Sequence, residues 1–161
     1  MFQKTMTSIS GWALVPALVG TVAKLCGAVL QALAFVGADV AAEFSLFSVF
    51  ANRGPAGFFW INVLIVPIIE TLFLAAVLVP FLRMKRGWLM SAPIVFALSF
   101  MAHGGNMHAI HAGVGFVVFA GYYLWVVRQN EGIHIAITKG VIAHAFANTI
   151  SLILLVLKSP S

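Results

Sequence analysis

The sequence predicts an all-α polytopic transmembrane helical bundle of about five to six membrane segments, forming one domain over residues 1–161. Three observations predict it. Hydrophobic residues make up 62% of the chain and charged residues only 8%, with a mean hydropathy of +1.07, far from the balance of a water-soluble domain. The apolar residues fall in runs of about 20, the length an α-helix needs to cross the hydrocarbon layer. The charges gather in the short connections between those runs.

The first run covers residues 12–36. Lys4 precedes it as in a signal peptide, but no polar cleavage region follows, so a retained first helix is predicted. Lys24 interrupts this helix and must either carry its ammonium to the interface on its stem or face the bundle; snorkelling is the expectation. Cys26 is the single cysteine, which excludes an internal disulfide and a thiolate metal cluster; a small packing residue is expected there. Residues 40–50 are apolar apart from Glu43 and too short to span, so they predict an interfacial or re-entrant segment. Asn52, Arg53, Gly54 and Pro55 then break the chain.

The remaining runs are 57–82, 87–103, 109–127 and 133–157. Trp12, Trp60, Trp88 and Trp125 fall near run ends, where indole rings anchor helices at the interface. His134 and Lys139, near the start of the last run, are expected to be interfacial. Phe58 and Phe59 are expected to meet lipid or neighbouring helices. Lys4, the cluster Arg83, Lys85 and Arg86, and Arg128 lie on alternate connections, whereas Asp39, Glu43 and Arg53 share an opposite one. This bias predicts a cytoplasmic N-terminus and, with five crossings, an external C-terminus. Compact size and composition suggest an integral protein of a bacterial inner (cytoplasmic) membrane. The net charge of +5 is explained by basic loops on anionic head groups, so the bilayer is the expected partner and nucleic acid is not.

Glu70 is the acidic residue that stands inside a long apolar run. An ionised carboxylate in a membrane helix is unfavourable by at least ~2.5–3.5 kcal/mol, so it persists where it faces the protein interior, finds partners or does chemistry. Three other polar groups are placed to meet it: His103 at the end of the third run, and His144 with Asn148 in the last. His144 and Asn148, at i and i+4, project from one helical face. Asn62, two turns before Glu70, is a weaker candidate for the same interior.

Several hydrolytic chemistries are excluded by residue type. The zinc signature H-E-x-x-H is absent, and an aspartyl dyad is impossible because Asp39 is the only aspartate. No serine follows a glycine at the spacing of a G-x-S nucleophile turn. A carboxylate, two imidazoles and an amide on three helices remain, a set able to activate water and hold an oxyanion without a metal or a covalent nucleophile. No cofactor is expected. His103, His108 and His111 raise a metal or haem reading, but no acidic residue or cysteine completes that segment; loop histidines or residues at a cavity mouth are the simpler expectation.

Three blocks together resemble the CPBP group of CAAX-type and bacteriocin-processing intramembrane proteases, also called Abi proteins or glutamic intramembrane endopeptidases. The stretch VPIIETLFLA, residues 66–75, resembles the E-E-x-x-x-R block, with Glu70 at the first Glu. SFMAH, residues 99–103, resembles F-x-x-x-H, and HAFAN, residues 144–148, matches H-x-x-x-N. They are separated by 33 residues from Glu70 to His103 and 41 from there to His144, and the resemblance covers residues 57–157. Thr71 stands where the pattern has its second Glu, Ala75 where it has Arg, and Ser99 where it has Phe. Losing both members of a buried ion pair can be nearly neutral, whereas losing one strands a charge, and a small-residue contact at Thr71 and Ala75 is expected instead.

The resemblance implies an endopeptidase that hydrolyses a peptide bond in a membrane-associated protein or peptide. In it Glu70 is the general base on a water, His103 assists, and His144 with Asn148 stabilises the oxyanion; neither metal nor cofactor takes part. The competing class is a catalytically inactive scaffold, immunity or transport-associated subunit, in which the same polar groups join helices.

Overall fold

The computed structural model describes residues 9–34, 54, 56–105 and 109–158. They form five helices and no strand: α1 (Ile9–Ala34), α2 (Ala56–Phe81), α3 (Gly87–Ala102), α4 (Ile110–Arg128) and α5 (Ile133–Lys158). Each corresponds to a predicted run with ends displaced by at most a few residues. The expected segment at 40–50 lies outside the described residues.

Three helical stretches are long and apolar enough to cross a membrane, Ala56–Phe81, Ile110–Arg128 and Ile133–Ile153; shorter apolar stretches lie at Ala13–Gly27 and Gly87–Ala102. The chain is an integral membrane protein. Its outer surface fits that medium, because Leu14, Leu18, Leu25, Ile69, Phe73, Leu89 and Met101 are exposed. In water such a surface would be a severe liability, whereas lipid chains solvate it.

Helix α4 is central and packs against all four others. Its inner faces carry Phe116, Phe119, Ala120, Tyr123 and Leu124, all buried. Helix α1 crosses α5 closely: a methyl group added at Gly20 would meet the carbonyl oxygen of Ala143. Such crossings use small residues because dispersion, with little hydrophobic drive, joins helices in lipid.

Helix α2 changes its winding along its length. Residues Phe59–Ile65 are π-helical, Val66–Leu78 are α-helical and Val79–Phe81 close as a 3₁₀ turn. At the first junction Val66 N–H donates to Ile61 O, five residues back. The same step from residue 67 would reach Asn62 O, but residue 67 is Pro67 and has no N–H to give. The carbonyl of Asn62 is therefore left for another donor.

The connection between α2 and α3 lies at the same end of the bundle as the close of α4, since Arg128 Nη2 donates to Met84 O at 2.8 Å and to Lys85 O at 3.3 Å. The basic residues Arg83, Lys85, Arg86 and Arg128 thus share one end. Trp60, Trp88 and Trp125 are exposed, in keeping with interfacial anchoring. Phe59 is exposed, whereas Phe58 is buried.

Two expectations are corrected, those for Cys26 and Lys24. Cys26 is exposed and not a packing residue, because it lies on the outer face with Val22, Leu25 and Val29. Lys139, with only 1% of its side chain exposed, is buried against its own bundle and ion-paired with Glu131 of the α4–α5 connection. It shares the inner stripe of α5 with Ala136, Gly140, Ala143 and Ala147, all buried, which fixes its direction. Lys24 does not snorkel to the interface but lines an internal cavity. It lies on the face of α1 that carries Gly20, Ala23 and Gly27, the buried small residues through which the helix packs.

Candidate active site

Three helices bring Glu70, His103 and His144 together. Glu70 projects from the α-helical part of α2, with 25% of its side chain exposed. His144 Nε2, from α5, lies 3.2 Å from Glu70 Oε2, and His103 Nε2, from the end of α3, lies 3.6 Å from Glu70 Oε1. These are the residues the sequence marked out on separate runs.

His103 is held by the last turn of its own helix. Its backbone N–H donates to Ser99 O at 3.1 Å and its Nδ1 approaches the same oxygen at 2.8 Å. A carbonyl only accepts, so Nδ1 carries a hydrogen, and in the neutral imidazole Nε2 presents its lone pair toward Glu70. The 3.6 Å separation is longer than a direct hydrogen bond, so the two groups face each other at the cavity without one.

His144 is buried, with 8% of its side chain exposed. Phe119 lies against it with ring centroids 4.9 Å apart, and Phe116 meets it edge-on at 5.3 Å. Phe116 also touches His103 at 5.9 Å. These two rings from α4 fix both imidazoles and keep one wall of the site apolar. Sequence reasoning passed over both phenylalanines; their i, i+3 spacing was a weak sign among so many apolar residues.

Asn148, one turn beyond His144, does not contact Glu70. Its Nδ2 donates to the backbone oxygen of Asn62 at 2.7 Å, the carbonyl that Pro67 leaves without its helical donor. Asn62 in turn donates from its own side chain to Phe58 O at 3.4 Å. The π-helical segment is therefore tied to α5 by the amide that the motif marks out. The V-P pair before Glu70 was the available signal, because a proline in a helix frees a carbonyl one turn back.

All these groups line one cavity of about 380 Å³, together with Lys24, His111, Gly115 and Ser151. Asn62 and His111 are thus both cavity residues, as was weighed for each. His108 lies outside the described residues, and among the described residues no group of three His, Cys, Asp or Glu side chains is arranged to hold a metal ion. A second, almost wholly apolar groove of about 290 Å³ runs between α2 and α3 past Phe73, Val77 and Leu98, and ends at the same Glu70, His103 and Phe116. Glu70 therefore stands where a wetter cavity meets a lipid-like groove.

Around the pattern's missing ion pair, Thr71 and Ala75 are both buried. A methyl group added at Gly140 of α5 would lie 2.9 Å from Thr71 Cγ2, so this face of α2 makes a close small-residue crossing. No protein-family model matches the chain, and no curated protein or solved structure matches it.

Proposed function

We propose that the chain is a glutamate-dependent intramembrane endopeptidase that cleaves a peptide bond in a membrane-associated protein or peptide. The observation that carries this reading is the convergence of Glu70, His103 and His144 from three helices on one cavity inside an apolar bundle. Structural glue needs hydrogen bonds between helices, but it needs neither a cavity beside them nor a half-exposed acceptor pair with room for water.

The chemistry follows from the positions. Glu70 takes a proton from a water bound beside it in the cavity, and the water oxygen bonds to the scissile carbonyl carbon. The tetrahedral intermediate collapses with cleavage of the C–N bond, and the proton held by Glu70 passes to the leaving nitrogen. His144 orients the carboxylate through Oε2, and the apolar wall of Phe116 and Phe119 limits competing water. The groove between α2 and α3 suits the apolar flank of a substrate still in the bilayer.

The test is terminal proteomics of native membranes and secreted fractions, comparing wild type with Glu70→Gln at matched protein level. Accumulation of a defined uncut precursor in the variant supports the reading and names the substrate. Unchanged termini with abundant protein overturn it.

One observation favours a second reading. The Asn148 amide is engaged in joining α5 to α2 rather than aimed at Glu70, as a non-catalytic scaffold would use it. A scaffold of this kind predicts that Glu70→Gln alters abundance or complex formation and leaves peptide termini unchanged.

A further inference from the structure

Two groups that the resemblance would assign to the oxyanion have other engagements. One amide hydrogen of Asn148 is directed at Asn62 O, and His144 Nε2 faces Glu70 Oε2. The cavity contains a third group that no sequence motif marks out. Lys24 of α1 lines it opposite α2 and is the only lysine or arginine to do so among the described residues. Its side chain shares that cavity with Glu70 and His144. Among the described residues it makes no hydrogen bond or ion pair of its own.

A lysine in an apolar span is unfavourable by ~2.5–3.5 kcal/mol on insertion scales, and elsewhere its stem relieves this by reaching the interface. Here the side chain instead enters the cavity that Glu70 also lines. A cation beside a general base has two effects in a low-dielectric site. It offsets the carboxylate before reaction, and it offers N–H donors to a second negative charge that develops nearby.

We infer that Lys24 is a catalytic residue, whose Nζ donates the principal hydrogen bond to the oxyanion in the hydrolysis proposed above. As the water oxygen bonds to the carbonyl carbon, the C=O π electrons move onto the carbonyl oxygen, and Lys24 Nζ–H donates to that oxyanion while keeping its proton. When the C–N bond breaks, those electrons return to re-form the C=O bond, and the ammonium is unchanged. This assignment rests on the protease reading, and it shifts the oxyanion role from Asn148 to a helix outside the motif-bearing region.

The experiment is a pulse-chase of native membranes with terminal proteomics, on wild type, Glu70→Gln, Lys24→Met and Lys24→Arg at matched abundance. Each purified protein is also melted in detergent. The expected result is no cleavage with Glu70→Gln, a loss of ~10²–10³-fold in chase rate with Lys24→Met, and recovery of at least a tenth of the wild-type rate with Lys24→Arg. Lys24→Met should melt no lower than wild type, because it removes a charge from an apolar helix. A wild-type chase rate in Lys24→Met overturns the inference and leaves the protease reading standing. So does a Lys24→Met melting point that falls and is restored by adding Glu70→Gln, since that identifies a structural counter-charge. Equal losses in Lys24→Met and Lys24→Arg also overturn it. Unchanged termini in Glu70→Gln overturn the protease reading itself, and the inference with it.

Discussion

Replacing Asn148 with Ala tests whether this amide stands in for the backbone donor that Pro67 lacks. In the π-helical register, Asn62 O would receive the N–H of residue 67, and Asn148 Nδ2 occupies that oxygen at 2.7 Å. Truncation leaves a carbonyl without a protein donor inside an apolar bundle. The general penalty for a buried unsatisfied group is ~1–3 kcal/mol, and interhelical hydrogen bonds in membranes average ~0.6 kcal/mol with a maximum near ~1.7. The structure argues for the upper part of the membrane range, because the acceptor has lost its native partner, whereas the adjoining cavity admits some water. We expect Asn148→Ala to destabilise the fold by about 1–2 kcal/mol, a factor of roughly 5–30 in the unfolding equilibrium. Reversible unfolding in mixed micelles measures it. The decisive control is Pro67→Ala, which restores an N–H at the required position; in that background the cost of Asn148→Ala should fall below about 0.5 kcal/mol. An equal cost in both backgrounds would refute the proline-linked account.

Gly140→Ala should destabilise by about 1–3 kcal/mol through a clash with the Thr71 methyl, and Thr71→Ser, which removes that methyl, should relieve most of it in an unfolding assay. Gly20→Ala should be worse, because its neighbour is the backbone oxygen of Ala143, which cannot rotate away; loss of folded yield in detergent checks this. Lys139→Met alone should cost about 3–5 kcal/mol by stranding Glu131, whereas Lys139→Met with Glu131→Gln should recover most of that, measured by the same unfolding assay. Ser99→Ala should change stability by less than about 0.5 kcal/mol, because its buried hydroxyl makes no hydrogen bond, while its carbonyl, which holds His103, is retained.

The helices were legible because their signal is local: run length and the absence of charge place an element wherever its neighbours lie. Glu70, His103 and His144 were legible because a polar group in such a run is costly, and few explanations cover three of them. What escaped depends on registers between helices. Asn148 could be placed on the face of His144, but its partner follows from the π-helical winding of α2, which shifts Asn62 O relative to an ordinary helix. Of the two courses open to Lys24, snorkelling and facing the bundle, its long stem alone favours the first, whereas its neighbours favour the second. The flanking Gly20, Ala23 and Gly27 mark the packing face of α1, and Lys24 lies on that face. Lys139 likewise lies on a face of small residues, with Ala136, Gly140 and Ala143 around it. In both helices the small residues were the better guide to direction than the charge.

This pattern bears on why a charged site is tolerated here. Five ionisable side chains, Glu70, Lys24, His103, His111 and His144, line one cavity. Glu70 and Lys24 line the same cavity without forming an ion pair with each other. They are not in contact, so neither is consumed by the other as in a closed salt bridge such as Lys139 with Glu131. A separated pair leaves between its charges the space in which a neutral water and a neutral amide can become an anionic intermediate. In the hydrolysis proposed above, polarity in place before reaction would reduce the reorganisation required when the charge moves, and the cavity among α1, α2, α3 and α5 is where the substrate carbonyl would lie.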